Sequence, residues 1–215
     1  MNILVIGASQ GTGALTVQKA LEHGHNVTAF ARSPQKLTLE HPKLKKLAGD
    51  FHQQASIMAA VKNHDAVIVT ASSTSLQGFK ENPHYFSQGT GYVVEAMKQA
   101  GVKRLVILSA LGVGESRKLM NFIVAKIVID YILRAPFADH ERQEKLVMAS
   151  GLDWVIARPG RLSNGPATGH YEKQAELIKV ASSIARHDVA DFLLEAATSD
   201  TWLRKTVHLG QARAS

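Results

Sequence analysis

Three glycines lie within seven residues near the start of the chain, in the segment Gly7-Ala8-Ser9-Gln10-Gly11-Thr12-Gly13. Glycine allows tight turns and a close approach of other groups because it has no side chain. Where such a turn leads into a helix, the free backbone N–H groups and the helix dipole attract an anion. The segment is therefore a candidate for binding the phosphates of a nucleotide. The alternative is a glycine-rich turn that only joins two elements.

The residues on either side of this turn favour phosphate binding. Ile3-Leu4-Val5-Ile6 is an unbroken apolar run, typical of a strand that is buried on both faces. After the turn, Ala14, Val17 and Leu21 have the spacing of one helix face, and Gly24 is a stop signal. The motif is G-x-x-x-G-x-G rather than the usual G-x-G-x-x-G. We expect Gly7 to form the tight turn, Gly11 to admit a pyrophosphate and Gly13 to bring helix and strand together.

A cation follows the second predicted strand, Asn26–Ala31. In folds that prefer NAD, an acidic residue near the end of this strand binds the ribose 2′-hydroxyl. Here the position carries Arg32, followed by Ser33, and no acid is nearby. A guanidinium forms paired, charge-assisted hydrogen bonds with a phosphate. The sequence therefore predicts a preference for NADP(H) over NAD(H), with a solvated surface arginine as the alternative.

Composition narrows the possible functions. The 215 residues are 45% hydrophobic and 20% charged, which fits one globular domain, and the absence of cysteine excludes disulfides and thiolate catalysis. The net charge is +7, but the densest basic group (Lys43, Lys45 and Lys46) has no interleaved aromatic residues, so we expect no nucleic-acid partner. Met1 leads into a core strand without a secretion signal, which favours a cytoplasmic protein with no membrane partner. His23 and His25 flank Gly24, and no carboxylate completes a metal-ligand spacing beside them, so we predict no metal.

The rest of the chain alternates between strand and helix patterns. This alternation predicts an α/β fold, a single Rossmann domain over residues 1–215 with a doubly wound parallel sheet flanked by helices. The further predicted strands are Leu44–Ala48, Asp65–Val69, Arg104–Leu108, Asp153–Ala157 and Thr206–Leu209. The further predicted helices are Ala55–Lys62, Ser87–Ala100, Asp139–Ala149 and a last helix that begins at Val189. We expect Ala135-Pro136 to be a break ahead of the third of these helices, and Asp188 to cap the last one.

Several connecting segments have two interpretations each. Asp50 follows the third strand, where it either contacts an adenine or caps the next turn. Thr70-Ala71-Ser72 is small enough for a ribose to lie against its backbone, or it is a plain surface loop. We expect irregular loops over Leu76–Phe86 and Leu162–Gln174. The apolar run Leu119–Leu133 is too short for a membrane span; a core or interface helix is favoured over a lid.

Markers along nearly the whole chain resemble the atypical short-chain dehydrogenase/reductases, specifically the NAD(P)H-binding group that includes biliverdin-IXβ reductase (flavin reductase) and the NmrA-like proteins. The markers are the Gly7–Gly13 turn, Val27–Arg32, Gly49-Asp50, Asp65–Val69, Asp139-His140, Ser150–Trp154, Arg158-Pro159 and Arg186-His187-Asp188.

The resemblance implies which residues bind NADP(H). The residues implied for the pyrophosphate are Gly7, Ala8, Ser9, Gln10, Gly11, Thr12 and Gly13. Those for the 2′-phosphate are Arg32 and Ser33, those for the adenine are Asp50 and Phe51, and those for the ribose are Thr70, Ala71 and Ser72. Ser109, His140 and Pro159 are implied near the nicotinamide.

The chain also departs from the family pattern. Ordinary members use a Tyr-x-x-x-Lys pair as acid or base, but no tyrosine here has a lysine four residues on; Pro136 and His140 occupy the expected positions. Arg161 replaces a histidine of the biliverdin reductase type, which argues against tetrapyrrole reduction. Ser109 and His140 remain the candidate catalytic residues. The blander alternatives are a strand end for Ser109 and a ribose contact for His140.

These observations lead to one main hypothesis. An NADPH-dependent reductase would transfer hydride to a flavin, a quinone or a similar small conjugated acceptor that takes its proton from solvent. The elements after the fifth and sixth strands would hold this substrate in a monomer or homodimer. The alternatives are a non-catalytic NADP(H)-binding redox-sensing regulator of the NmrA-like kind and an epimerase-like enzyme.

Overall fold

A parallel-dominated sheet of eight strands forms the centre of the computed structural model, which describes residues 1–72, 79, 81–121, 127 and 131–212. The strand order is β3-β2-β1-β4-β5-β6-β10-β8, and only the edge strand β8 runs antiparallel to its neighbour. The strands of this sheet are β1 (Asn2–Ile6), β2 (Asn26–Ala31), β3 (Leu44–Ala48), β4 (Ala66–Val69), β5 (Arg104–Leu108), β6 (Asp153–Pro159), β8 (Tyr171–Gln174) and β10 (Lys205–Gln211). Two further strands, β7 (Arg161–Ser163) and β9 (Ser183–Ala185), pair with each other.

Helices cover both faces of this sheet. The five helices labelled here are α1 (Gly11–Glu22), α2 (Gln54–Val61), α3 (Tyr85–Ala100), α4 (Arg134–Met148) and α5 (Arg186–Thr198). Helices α1 and α5 pack on one face, while α2, α3 and α4 pack on the other. Because β1 and β4 are buried on both faces, their sequences are continuously apolar. The predicted doubly wound α/β fold is confirmed.

The chain reverses its direction of winding between β1 and β4. From β1 the order proceeds to β2 and β3 on one side, and then returns to β4, β5 and β6 on the other. In open α/β sheets, ligands bind outside the carboxyl ends of the strands at such a point. The glycine turn, which follows β1 directly, therefore lies at the expected place for a ligand.

The structure corrects three local predictions. The segment Leu162–Gln174 is not wholly irregular, because it includes most of β7 and all of β8. Ala135-Pro136 does not break a helix: α4 begins at Arg134, so Pro136 lies in its first turn, where a missing N–H costs little. Asp188 does not cap α5, whose N-cap is Ala185; its carboxylate instead accepts hydrogen bonds from the backbone N–H groups of Thr168 and Gly169.

Two predicted segments lie partly outside the described residues. The predicted loop Leu76–Phe86 includes undescribed positions, and at its end Tyr85 and Phe86 already belong to α3. Most of the apolar run Leu119–Leu133 also lies outside the described residues, so its predicted helix stays a prediction.

A buried carboxylate of α4 satisfies the N-terminus of α3. Asp139 is fully buried, and its Oδ2 accepts hydrogen bonds from the backbone N–H groups of Phe86 (2.6 Å) and Ser87 (3.3 Å). Its Oδ1 accepts a third bond from the Ser87 hydroxyl at 2.5 Å. The first N–H groups of a helix have no partner within the helix. Asp139 therefore does the work of an N-cap from a different helix.

Candidate functional site

A cleft of about 540 Å³ runs along the carboxyl ends of β1, β2 and β4. We call it the sheet-edge cleft. Most of the residues predicted to bind a cofactor line it, namely Gly7, Ser9, Gln10, Gly11, Thr12, Gly13, Arg32, Ser33, Asp50, Phe51, Thr70, Ala71 and Ser72. Residues that are far apart in sequence but share a predicted nucleotide-binding role therefore come together in one cavity.

Two glycines of the turn are required by close packing against the backbone. Gly7 has a φ of +87°, and a Cβ built there would lie 2.6 Å from the backbone nitrogen of Ala71. A Cβ on Gly13 would lie 2.3 Å from the Gly7 carbonyl oxygen. The predictions of a tight turn at Gly7 and of close helix–strand packing at Gly13 are therefore confirmed. Gly11 differs, because a Cβ there would meet only Nε of Arg186, at 3.8 Å. Open space for an anion is thus left beside it.

The N-terminus of α1 lines this cleft, and no side chain of the described residues forms a capping hydrogen bond with it. Its N-cap residue, Gln10, makes no side-chain capping hydrogen bond, and the first turn contains no acidic residue. Unpaired N–H groups and the positive end of the helix dipole together attract an anion. The local structure fits a phosphate group, since the space beside Gly11 is open and the donors carry no competing carboxylate.

Two cations lie at the far end of the cleft, after β2. Arg32 is exposed and lines the cleft with Ser33, and one helical turn later Lys36 lines it as well. Among the described residues, no carboxylate forms an ion pair with either side chain. A phosphate on the ribose would find two unneutralised positive charges here. The residues Ser33-Pro34 predict this short helix, Pro34–Lys36, but nothing in the sequence indicates that its last residue, Lys36, lines the cleft.

The residues after β3 form a third wall. Asp50 Oδ1 accepts a hydrogen bond from the backbone N–H of His52 at 2.9 Å, so Asp50 stabilises its own turn. This contact supports the capping alternative for Asp50, while its predicted contact with an adenine stays a prediction. The ring of Tyr85 also lines the cleft. Burial, together with the charge of Asp50, raises the pKa of the Tyr85 phenol, although Arg32 acts in the opposite direction.

Four residues that were predicted to bind the cofactor do not line the cleft. Ala8 is fully buried in the core under α1, so its side chain has no access to a ligand. Pro159 lines a separate cavity, described below. Ser109 and His140 line neither cavity, and both are at least nine-tenths buried.

Ser109 belongs to a buried polar network rather than to an open site. Its hydroxyl donates a 2.6 Å hydrogen bond to Oε1 of Glu144, and the same carboxylate accepts two bonds from the Arg158 guanidinium, at 2.9 and 2.6 Å. Arg158 is only 1% exposed and also contacts Glu115 and His208. Burial acts to lower the pKa of Arg158, but the hydrogen bonds and charge of Glu144 outweigh it, so the pKa is raised. The permanent cation holds Glu144 in place.

His140 is packed against the first turn of α3. Its ring stacks on Phe86 with 3.7 Å between centroids, and Nδ1 contacts Oε1 of Gln143 at 2.9 Å. Burial lowers the pKa of His140, although the hydrogen bond with Gln143 acts to raise it. A neutral, stacked imidazole is a poor proton donor near neutral pH. Catalytic roles for Ser109 and His140 stay predictions, and this geometry supports structural roles for both.

Two further polar residues of the cleft were missed by the sequence. Arg186, the first residue of α5, lies beside Gly11, and its NH1 donates a 2.6 Å hydrogen bond to Oδ1 of Asn164. Both line the cleft opposite the α1 N-terminus. The motif Arg186-His187-Asp188 was noticed as a family marker, but nothing local in sequence connects it with a turn more than 170 residues earlier.

A second cavity of about 870 Å³, called the apolar cavity here, lies beside the segments that follow β5 and β6. Its apolar wall contains Leu111, Leu119, Leu133, Phe137, Pro159 and Val180. Neighbouring residues of β7 line the two cavities: Leu162 lines the sheet-edge cleft and Arg161 lines the apolar cavity. Successive residues of a strand point to opposite sides, which explains this division.

No helix in residues 1–72, 81–121 or 131–212 combines the length and apolarity needed to cross a bilayer. In the same part of the chain, no group of three or more histidine or acidic side chains is arranged to hold a metal ion.

Comparison with known proteins gives several similar chains. The chain is 31% identical over 193 residues to a protein of Bacillus subtilis named an uncharacterized sugar epimerase, YhfK, covering 88% of this chain and 85% of the relative. It is 30% identical over 222 residues to the protein YMR090W of Saccharomyces cerevisiae, covering 97% and 92%.

Three solved structures with the same fold are described as an oxidoreductase, a reductase and a short-chain dehydrogenase/reductase. The oxidoreductase ylbE of Lactococcus lactis has a TM-score of 0.83 at 18% identity, with 100% of this chain and 93% of that one covered. ChuY of Escherichia coli O157:H7, described as an anaerobillin reductase, has a TM-score of 0.81 at 22% identity, covering 100% and 99%. A short-chain dehydrogenase/reductase of Veillonella parvula, solved in complex with NADP, has a TM-score of 0.82 at 17% identity, covering 98% and 94%.

The family model described as NAD(P)H-binding matches residues 7–200, a range that contains the glycine turn, both cations after β2 and the first turn of α5. The resemblance found in the sequence is thereby confirmed, and the chain belongs to the NAD(P)H-binding family.

Proposed function

We propose that this protein is a reductase that uses NADPH to reduce a small conjugated acceptor such as a flavin or a quinone. The observation that carries the proposal is a pair of cavities whose linings include two neighbouring residues of β7, Leu162 and Arg161. One has phosphate-binding features and two free cations after β2, and the other is large and apolar and begins at β7.

The sheet-edge cleft would hold NADPH by its charged parts. The backbone N–H groups at the start of α1 would bind the diphosphate, and Arg32 and Lys36 would bind the 2′-phosphate. Thr70, Ala71 and Ser72 would lie along the ribose. A hydrogen bond to a charged group contributes about 1.5–3 kcal/mol, so the cations after β2 are sufficient to favour NADP(H) over NAD(H) by tenfold or more.

The reaction needs little acid–base help from the protein. When bound, NADPH supplies a hydride, and a flavin or quinone that accepts it takes the accompanying proton from solvent. The sequence contains no Tyr-x-x-x-Lys pair, and Pro136 and His140 at the corresponding positions are both buried. This combination supports acceptors that do not require a positioned acid. The chain itself would bind the two reactants, orient them at β7 and exclude bulk water.

The test is NADPH oxidation by the purified protein with menadione or FMN as acceptor. The proposal predicts turnover with NADPH and a KM for NADH at least about tenfold higher than for NADPH. Tight NADP(H) binding without turnover of either acceptor would refute the reductase and favour the regulatory alternative. The absence of binding to either nicotinamide nucleotide would refute both.

A further inference from the structure

The apolar cavity has two cations at its rim. Arg161 and Lys179 both line it, both are exposed, and they approach it from different segments, β7 and the stretch before β9. The rest of the described lining is apolar or small, with the polar side chains of Asn121 and Ser182. No acidic residue lines this cavity within the parts of the chain that the structure describes.

Neither cation is neutralised by a described carboxylate. The Arg161 guanidinium and the Lys179 ammonium take part in no ion pair within residues 1–72, 81–121 and 131–212. Other cations of the chain are paired where acids are near, as Lys173 is with Glu195 at 2.7 Å. Two unpaired like charges at one cavity mouth repel each other and are stabilised by an anion between or beside them.

The volume and the apolar wall of the cavity indicate what the uncharged part of the ligand must be. About 870 Å³ is enough for a molecule of two or three fused rings. Leu111 and Val180 are buried at the apolar wall. A ligand that fills this cavity therefore needs an apolar ring system at one end and a negatively charged group at the other.

We propose that the acceptor bound in the apolar cavity carries an acidic group, a phosphate, sulfonate or carboxylate, which Arg161 and Lys179 bind at the rim. This inference rests on the proposed reductase function, which it makes more specific. Arg161, whose strand neighbour Leu162 lines the sheet-edge cleft, would orient the acceptor toward the cofactor side, so it is a specificity-determining residue.

The experiment compares acceptors that differ only in the acidic group. FMN and riboflavin are one such pair, and anthraquinone-2-sulfonate and anthraquinone are another. Binding of each is measured by fluorescence or absorbance titration of the full chain saturated with NADP⁺, which allows no turnover. We expect the acidic member of each pair to bind about tenfold or more tightly, and the advantage to shrink as salt rises.

Variants of Arg161 and Lys179 test whether these two cations cause the difference in affinity between acidic and neutral acceptors. Arg161→Gln and Lys179→Gln should each reduce the affinity for FMN by about fivefold to tenfold and change riboflavin binding less than twofold. Lys62→Gln is the matched control, because Lys62 is an exposed cation that precedes β4, at the amino ends of the strands and so away from both cavities. It should change neither affinity.

Two results would overturn the inference: equal binding within both pairs, or no binding of either acidic probe. Turnover of the neutral acceptor menadione separates this failure from that of the proposed function. If menadione is reduced while acidic acceptors have no advantage, the reductase stands and the anionic specificity is wrong. If FMN binds with the predicted preference and NADPH is never oxidised, the cavity assignment stands and the reductase is wrong.

Discussion

Helices α1 and α3 both begin without a hydrogen bond from their own N-cap side chain, but the two ends are completed in different ways. At α3, the buried carboxylate of Asp139 accepts hydrogen bonds from the first N–H groups. At α1, the first N–H groups face a cleft with open space beside Gly11 and no acid in the turn. The same backbone chemistry thus stabilises the fold where the chain supplies the anion, and at α1 it leaves donors available to an anion from outside.

The largest change in stability is expected from removing the Asp139 carboxylate. Asp139→Ala leaves the first N–H groups of α3 without their acceptor inside the protein. The free energy of unfolding should fall by about 3 kcal/mol or more, because hydrogen bonds to a charged group contribute about 1.5–3 kcal/mol each. Urea unfolding measures this loss. Ser87→Ala removes only the hydroxyl bond to the carboxylate and should cost about 1.5 kcal/mol. Losses below 1 kcal/mol for Asp139→Ala would contradict the role assigned to it.

The variant Arg32→Gln tests whether Arg32 binds the 2′-phosphate of NADP⁺. Arg32→Gln should weaken NADP⁺ binding by about tenfold to a hundredfold, since it removes a charge-assisted contact with the 2′-phosphate. Its affinity for NAD⁺ and its stability should be unchanged. Calorimetric titration of both nucleotides measures this. Similar losses for the two nucleotides would mean that Arg32 does not read the 2′ position.

Gln10→Asp would turn the α1 end into an internally capped one. An aspartate at an N-cap stabilises a helix by about 0.5–2 kcal/mol, so the thermal midpoint should rise. The new negative charge beside the phosphate site should weaken NADP⁺ binding by about tenfold. Gln10→Asn, which caps without charge, is the control and should weaken binding less. If Gln10→Asp leaves the affinity for NADP⁺ unchanged, the α1 end is not where the diphosphate binds.

Arg186 is expected to strengthen the same site from the opposite wall. Arg186→Gln should reduce the affinity for NADP⁺ by about fivefold, because its guanidinium lies beside Gly11 but is partly solvated. The affinity for 2′-AMP, which lacks a diphosphate, should not change. Titration with both ligands separates a diphosphate contact from a general loss of positive charge. An equal loss for 2′-AMP would refute the contact.

The smallest effect is expected in the pH dependence of the free energy of unfolding, through His140, which packs on the first turn of α3. Burial lowers the pKa of His140, so between that value and about 6.5 the unfolded chain binds more protons than the folded one. The stability that neutral His140 allows is complete above about pH 6.5, and it decreases as the pH falls through this window. Urea midpoints at pH 7.5 and 5 measure the slope. His140→Gln should flatten it, by no more than about 1.4 kcal/mol per pH unit.

Local features were predictable from sequence and long-range ones were not. The glycine turn was found because its spacing, the strand before it and the helix after it all lie within about twenty residues. The carboxylate that caps α3 belongs to Asp139, which is over fifty residues away from its partner Ser87, and no local pattern indicates this contact. Arg186 was missed as a cleft residue for the same reason.

Errors in the predicted elements also have physical causes. The strands β7 and β8 are only three and four residues long and carry polar side chains, so their pairing partners rather than their own patterns define them. Asp188 has the residue type of an N-cap, but it lies in the third position of α5, and its carboxylate binds the segment that contains Thr168. Residue type alone cannot distinguish these two uses of an aspartate.

The contact beside Gly13 has a consequence for how this chain can evolve. The atom that a Cβ there would strike is the carbonyl oxygen of Gly7, which belongs to the main chain, so no mutation elsewhere can remove it. Replacement of Gly13 should therefore be rejected both in natural evolution and in laboratory selection. The walls of the apolar cavity consist of side chains, each replaceable one at a time. New acceptor preferences should arise by changes there, in descendants that all keep this glycine turn.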